Sequence, residues 1–147
     1  MPIITEARAV IAAPAAVAWR LLADYANDPL WRARVRRMEQ SPPGQVFPGA
    51  TAVEEMRVLG TLSRAVVEVV TVTPGTSFTW RAIDGADAEG HRTITALGDD
   101  RCELHTWRVI RLSGAQAWGE PLARWALTRG ERADVQRAAA LVEAITR

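Results

Sequence analysis

The chain opens on an alternation of apolar and polar residues and closes on a long Ala-rich segment with helical spacing. Residues 2–12 alternate, which predicts a strand. Residues 14–24 carry apolar side chains at helical spacing behind a proline, and 27–32 has a capping residue before another helical turn. We therefore predict two short helices after the first strand. The tail, 116–146, predicts one long helix.

Between these helical segments the pattern is typical of strands separated by turns. Five runs are strand-like and a sixth, 34–40, is a candidate strand. The five runs are 50–59, 62–73, 76–84, 89–97 and 101–112. Gly and Pro mark the turns between them. We predict an α+β fold, in which a curved antiparallel sheet of six to seven strands is covered by the C-terminal helix.

Length and composition narrow the class of protein. The 147 residues, 48% of them hydrophobic, suit one domain over 1–147. No apolar run is long enough to span a bilayer, and the first residues do not resemble a signal peptide. A net charge of +1 does not favour nucleic-acid binding. We expect a cytoplasmic protein, monomeric or homodimeric, without membrane insertion.

The residue types also exclude some chemistry. The chain has 18 basic residues, all Arg, so a Schiff-base lysine is excluded. One Cys excludes a disulfide framework and a Cys-based zinc site, and two His make a poor metal site. We expect neither metal nor cofactor. Six Trp in so short a chain suggest the walls of a cavity as readily as a solid core.

Turn positions predict which residues share a face of the sheet. A two-residue turn at Pro74-Gly75 places Val67 opposite Ala82, Glu68 opposite Arg81, Val69 opposite Trp80 and Thr71 opposite Phe78. The apolar members of these pairs should point inward. A turn at Gly60-Thr61 adds Met56 and Glu54 to the same face, opposite Ala65 and Val67.

Glu54 is then a carboxylate on a mostly apolar wall. Burial without a partner would raise the pKa of Glu54 and suit it to general acid or base catalysis. The alternatives are that Glu54 reaches solvent at the strand end or pairs with an arginine.

The face of the last hairpin depends on one residue of register. A three-residue loop at Gly98-Asp99-Asp100 places His91 on the face of Glu103, His105 and Trp107. A loop of two or four residues places His91 with Cys102, Leu104, Thr106 and Arg108 instead, and the apolar run of that strand favours this choice. We predict His91 as a polar group of the cavity; a structural or surface His is the alternative.

The closing helix carries two apolar stripes, one on either side of Gly130. Trp118, Leu122 and Trp125 form the first, which suits a lid over a cavity mouth. Val135, Ala138, Ala139, Val142 and Ile145 form the second, which suits close packing on the sheet. Plain core packing of both Trp is the alternative.

Several segments together resemble a known superfamily. The segments PAAVAWRLLADYANDPLW, TPGTSFTWRAIDG and GHRTITALGDDRCELHTW, with the closing helix, resemble the SRPBCC superfamily of START-like, polyketide cyclase/dehydrase-type proteins. The resemblance covers nearly the whole chain and implies a helix-grip fold. It also implies a pocket for apolar or aromatic ligands, closed by the C-terminal helix, with Trp31 at the rim.

We therefore expect the cavity to bind a small hydrophobic or aromatic, polyketide-like molecule, as a carrier or sensor. The expected ligand-binding residues are Trp31, Met56, Val67, Val69, Phe78, Trp80, Leu104, Trp118, Leu122 and Trp125. The first alternative is a cyclase or dehydratase that uses Glu54 or His91 as acid/base. The second is a protein-interaction module that uses the Trp stripe.

Overall fold

The computed structural model describes residues 2–58 and 60–147, with side chains for all of these except 58 and 115–117. Its centre is a seven-stranded antiparallel sheet with the strand order β1-β7-β6-β5-β4-β3-β2. The strands are β1 (Pro2–Ile11), β2 (Val35–Ser41), β3 (Thr51–Val58), β4 (Thr61–Thr73), β5 (Ser77–Asp84), β6 (Asp87–Ala96) and β7 (Cys102–Arg111).

Helices lie on one side of this sheet. Between β1 and β2 the chain forms α1 (Ala15–Leu22), a 3-10 turn (Tyr25–Asn27) and α2 (Asp28–Trp31). After β7 a second 3-10 turn (Gly114–Gly119) leads into α3 (Glu120–Thr146). This arrangement confirms the predicted helix-grip fold, with its short helices after the first strand and its long C-terminal helix. Within the described ranges, no helix is both long and apolar enough to cross a membrane.

The C-terminal part of α3 packs on the sheet through small residues. Val135, Ala138, Ala139 and Val142 are buried in one core cluster with residues of β1, β6 and β7, whereas Ile145 is exposed. Small side chains on both surfaces let the helix approach the sheet closely. A second cluster, from β2 to β5 and around Tyr25, fills the other end of the sheet.

Strand pairing agrees with the predicted faces, with two corrections. In β4 and β5 the pairs Val67–Ala82, Glu68–Arg81 and Val69–Trp80 are confirmed. Beyond them Thr71 pairs with Thr79 rather than Phe78, because a bulge after Val69 adds one residue to β4. The bulge is balanced by a turn one residue longer than predicted, since Thr73 pairs with Ser77.

The second correction concerns β3 and β4. Glu54 pairs with Ala65 and Met56 with Ser63, so the register differs from the prediction by two residues. A shift of two residues leaves every side chain on its predicted face, because side chains alternate with a period of two. Glu54 is therefore on the inner face, as predicted.

The last hairpin takes the register of the three-residue loop. His91 pairs with Trp107, and Thr95 with Glu103. The inner face of β6 and β7 is thus formed by the alternate residues, and Arg92, Ile94, Cys102, Leu104 and Thr106 are buried there. The apolar run of β7 faces the core, as its pattern indicated, but His91 does not share that face.

Candidate ligand-binding site

A small cavity lies between the inner face of the sheet and α3, where the two core clusters meet. Its volume is about 40 Å³, and aromatic and apolar side chains form part of its wall: Tyr25, Trp31, Met38, Val67 and Trp80. This space holds about two or three water molecules. Charged side chains occupy much of the interior around this cavity, which is therefore small.

A buried ion-pair network forms the base of the cavity. Asp28, in the first turn of α2, is fully buried. Its Oδ1 accepts a hydrogen bond of 2.9 Å from Arg92 Nη1, and its Oδ2 one of 3.0 Å from Arg32 Nη1. One carboxylate thus balances two guanidinium groups. The network ties α2 to the centre of the sheet.

Aromatic rings hold the Arg92 guanidinium in place. Its Cζ lies 4.8 Å from the ring centre of Trp31, 5.3 Å from that of Tyr25 and 5.4 Å from that of Phe78. A planar cation among three rings gains cation–π attraction while it stays bonded to Asp28. Because its position is fixed on every side, we assign Arg92 to the framework of the site.

Glu54 lies beside this network and has an arginine partner, one of the alternatives considered for it. Its Oε2 accepts a hydrogen bond of 2.9 Å from Arg32 Nη1. Burial lowers the pKa of Arg32, but the charges of Glu54 and Asp28 outweigh burial and raise it. Glu54 borders the cavity as half of an ion pair.

Arg108 and Glu131 form a looser pair at the other side of the cavity. Arg108 Nη2 lies 3.8 Å from Glu131 Oε2, beyond hydrogen-bond distance. Burial lowers the pKa of Arg108, and the charge of Glu131 only partly offsets this. Arg108 is therefore a buried cation with weak compensation.

Five buried polar atoms without a hydrogen-bond partner belong to residues that line this cavity. Among the described residues these atoms are Trp31 Nε1, His91 Nδ1, Thr106 Oγ1, Arg108 Nε and Glu131 Oε2. Each such atom costs about 1–3 kcal/mol when it is left dry and unpaired. The set can present donors from Trp31, Thr106 and Arg108 and an acceptor from Glu131. It matches a small polar group that both accepts and donates hydrogen bonds.

His91 borders the cavity, but its ring lies on the opposite face of the sheet from Arg92, because neighbouring residues of a strand alternate. The ring stacks on Trp107 with a centroid distance of 5.4 Å and meets His105 edge-on at 5.3 Å. Because His91 still borders the cavity and its Nδ1 has no hydrogen-bond partner among the described residues, its role as a polar group of the cavity stays a prediction. Within the described ranges no group of three His, Cys, Asp or Glu side chains is placed to hold a metal.

The predicted lid residues lie away from the cavity. Trp118 is 90% exposed, Trp125 58% and Leu122 55%, and their stripe faces solvent. Their expected place at the entrance is corrected, because α3 turns its charged face, with Glu131 and Asp134, towards the cavity. Trp31, expected at the rim, is instead a buried wall residue.

The remaining predicted apolar residues divide into wall and core. Val67 and Trp80 line the cavity, and their contact with a ligand stays a prediction. Val69, Phe78 and Leu104 are buried in the two core clusters, Leu104 fully so under α3, and the partly buried Met56 packs against one cluster. These four are not among the residues that line the cavity, and their predicted contact with a ligand stays a prediction.

Several residues of the site were missed from the sequence. They are Tyr25, Arg32, Met38, Arg92, Thr106, Arg108, Glu131 and Asp134, together with the buried Asp28. The arginines were missed because a charged residue on a strand is usually assigned to the solvent face. The sequence does contain a usable signal. Arg92 lies two residues from Ile94, and Thr106 two residues from Leu104, so each polar residue shares the apolar face of its strand.

Comparisons with known proteins show the family and agree with the fold. A family model described as polyketide cyclase / dehydrase and lipid transport matches residues 2–143. Among solved structures, the chain is similar to the Zhui aromatase/cyclase from Streptomyces sp. R1128. The TM-score is 0.81 at 17% identity, covering 100% of this chain and 97% of the other. No curated protein sequence matches the chain.

Two further structures extend the likeness. TTHA0849 from Thermus thermophilus superposes with a TM-score of 0.84 at 13% identity, over 98% of this chain and 99% of its own. A norcoclaurine synthase point mutant from Thalictrum flavum, solved with a transition-state analogue, gives a TM-score of 0.70 at 12% identity, over 100% and 98% of the two chains. At such identities these structures establish the shared fold.

Proposed function

The chain belongs to the polyketide cyclase/dehydrase and lipid transport family, and from this premise we propose that its cavity binds a small aromatic, oxygen-bearing molecule, as a carrier or sensor. One observation carries the proposal. Within the part of the chain that the structure describes, buried polar atoms of Trp31, Thr106, Arg108 and Glu131 have no hydrogen-bond partner, and all four residues line one cavity between sheet and helix. Ligand sites characteristically combine apolar walls with a few such polar groups.

The polar atoms define how such a ligand is oriented. A carbonyl or phenol oxygen accepts hydrogen bonds from Arg108 and Trp31, while a hydroxyl hydrogen is donated to Glu131. The aromatic part of the ligand packs against Trp80 and Val67. A hydroxylated aromatic ketone, of the kind that polyketide chemistry produces, supplies both kinds of polar group.

Ligand entry requires the cavity to widen, because about 40 Å³ is far below the roughly 300 Å³ of the smallest typical ligand sites. The segment between α2 and β2 is joined to α3 by polar contacts. Arg34 Nη1 donates to the Ala126 carbonyl at 2.7 Å, and Ala33 N donates to Asp134 Oδ1 at 3.2 Å. Such contacts exchange for water at little net cost, so we place the opening here.

Trp fluorescence tests the proposal directly, since Trp31 and Trp80 line the cavity. The chain is titrated with hydroxylated aromatic ketones and with matched hydrocarbons that lack the oxygens. We expect saturable quenching by the ketones and binding about tenfold weaker for Arg108→Gln, which loses a charged hydrogen-bond donor. Arg111→Gln, at an exposed position of the same strand, is the control and should bind normally.

Two results would overturn this reading. In the first, no member of the panel quenches the fluorescence. In the second, hydrocarbons and ketones bind equally and Arg108→Gln has no effect, so that the pocket is merely apolar.

A cyclase is the second candidate function, favoured by the Arg108–Glu131 pair and by the aromatase/cyclase of similar fold. Glu131 would take a proton from the carbon between two carbonyls of a polyketone, and Arg108 would stabilise the enolate oxygen. The enolate carbon would then form a bond to the carbon of another carbonyl farther along the polyketone, and the oxygen of that carbonyl would take up the proton from Glu131. Glu131 replaces Glu54 and His91 in this role, since Glu54 is paired with Arg32 and the His91 ring faces away.

The two candidates separate in one experiment. A bound polyketone is incubated with the protein, and the product is followed by mass and absorbance. A cyclase loses turnover in Glu131→Gln while binding changes little, whereas a carrier returns its ligand unchanged at all times.

A further inference from the structure

An exposed stripe of tryptophan, leucine and arginine runs along the first half of α3. Trp118, at the end of the preceding 3-10 turn, is 90% exposed, and Leu122 and Trp125 follow on the next turns. Arg129 continues the stripe, because its guanidinium carbon lies 5.6 Å from the ring centre of Trp125. At about 100° per residue, Leu122, Trp125, Arg129 and Arg132 fall within about 80° of the helix circumference.

This stripe is separate from the cavity. Glu131 lines the cavity and lies on the far side of α3 from Trp125. The helix is held to the sheet by the face with Val135 and Ala138, so removing an indole from the stripe leaves the core intact. Among the described residues, Trp118, Leu122 and Trp125 belong neither to the two core clusters nor to the lining of the cavity.

The charge on the stripe is positive. Among the described residues, the ion pairs that involve α3 are Arg124–Glu120, Arg108–Glu131 and Arg137–Asp134. Glu120 is thus paired with Arg124, and Glu131 lines the cavity on the other side of the helix. Arg129 and Arg132 form no ion pair with any described residue and lie beside the exposed indoles of Trp118 and Trp125.

We infer that this stripe docks α3 on an anionic phospholipid surface. Indole side chains favour the boundary between headgroups and acyl chains, where the ring is apolar and the N–H is hydrated. Arg129 and Arg132 meet the anionic headgroups at the same level. The docking is peripheral, with α3 lying along the surface, and it goes beyond the ligand binding proposed above.

The positive charge of the stripe favours an anionic phospholipid surface over a second copy of the chain. In a symmetric pairing through the stripe, two copies of Arg129 and Arg132 would be brought together without added acidic partners, which costs energy. The side chains also protrude from a convex helix. A convex apolar stripe suits a deformable lipid interface, whereas a protein partner needs a matching groove.

Vesicle sedimentation tests the inference. The full chain is mixed with vesicles of phosphatidylcholine alone, or of phosphatidylcholine and phosphatidylglycerol in equal parts. We expect the protein to sediment with the anionic vesicles and to be released by salt. Trp118→Ala and Trp125→Ala should each weaken binding about tenfold, and Arg129→Gln and Arg132→Gln about fivefold each.

Matched controls keep the test specific. Ile145→Ala changes an exposed apolar residue at the far end of the same helix, and Arg20→Gln removes a charge from α1. Both should bind like the parent chain. Thermal unfolding of every variant establishes that each is folded.

Three outcomes would overturn the inference. The parent chain fails to sediment with anionic vesicles, or it sediments equally with neutral ones. The stripe variants bind as well as Ile145→Ala. Light scattering shows a dimer that Trp118→Ala dissociates, in which case a second copy covers the stripe.

Discussion

The carboxylate of Glu131 on α3 lies 3.8 Å from the guanidinium of Arg108 on β7, and neither group completes its hydrogen bonds in the other. Both side chains are about nine-tenths buried. A ligand oxygen to one side of the pair could form hydrogen bonds with both groups. Their separation also makes the pair a costly feature of the fold, since two buried charges are only partly compensated.

The free energy of unfolding of the protein should depend on whether one charge of the Arg108–Glu131 pair or both are removed. Glu131→Gln leaves Arg108 without its counter-charge and should lower the free energy of unfolding by about 1–3 kcal/mol. The double variant Arg108→Met with Glu131→Leu removes both charges and should be as stable as the parent or more so. Urea denaturation measures both variants. A double variant less stable than Glu131→Gln would show that the pair stabilises the fold.

Loss of the negative charge of Asp28 should lower the free energy of unfolding strongly. Its carboxylate balances both Arg32 and Arg92 and is fully buried. Asp28→Asn leaves two buried cations short of an anion and should cost about 3–5 kcal/mol in the free energy of unfolding. Glu55→Gln is the control, because Glu55 pairs with the exposed Arg37, and it should cost less than about 1 kcal/mol. Equal losses in both variants would contradict the role of Asp28.

The fold was predictable because its signals are local. Period-two alternation identified β1, and the glycine and proline turns delimited the later strands. The predicted face of Glu54 was correct although its predicted pairing was not, because the register differed by two residues. At His91 the choice lay between registers one residue apart, and one residue reverses the face of every side chain.

The charged interior was not predictable in the same way. Arg92 and Arg108 are buried because Asp28 and Glu131 approach them from helices that are distant in sequence. Hydrophobic pattern assigns such arginines to solvent, and only tertiary contacts show their partners. The direction in which the Trp stripe faces was not predictable for a related reason. Spacing identifies a stripe on a helix, but it does not show whether that stripe faces the sheet or water.

Gly90 should be required for the position of Trp80. A Cβ at residue 90 would lie 2.8 Å from Trp80 Cζ2 and 2.4 Å from the Trp107 carbonyl oxygen. Gly90→Ala must displace the indole and the adjacent strand, so we expect a loss of about 1–3 kcal/mol and a shifted Trp emission spectrum. Gly119→Ala has open space around the new Cβ and serves as the control. Unchanged stability in Gly90→Ala would contradict this contact.

Acid should destabilise the outer face of β6 and β7. Burial lowers the pKa of His91, and the charge of His105 lowers it further, while Glu6 opposes both. A His with a lowered pKa in the folded state binds its proton more readily when unfolded, so its contribution is complete above about pH 6.5 and is lost as pH falls. The pKa of Glu6 is also lowered, chiefly by its hydrogen bond with His105, and its contribution is lost at lower pH still.

We therefore expect the thermal unfolding midpoint to decrease as the pH is lowered from 7 to 5. His91→Gln should make this decrease smaller, because the variant has no group at that position to protonate. Thermal unfolding followed by circular dichroism at matched ionic strength measures both chains. Arg101→Gln, an exposed and distant change, should keep the slope of the parent. If the slope of His91→Gln matches that of the parent, the proton is taken up elsewhere, and the packing of His91 against Trp107 and His105 does not set the acid sensitivity of the fold.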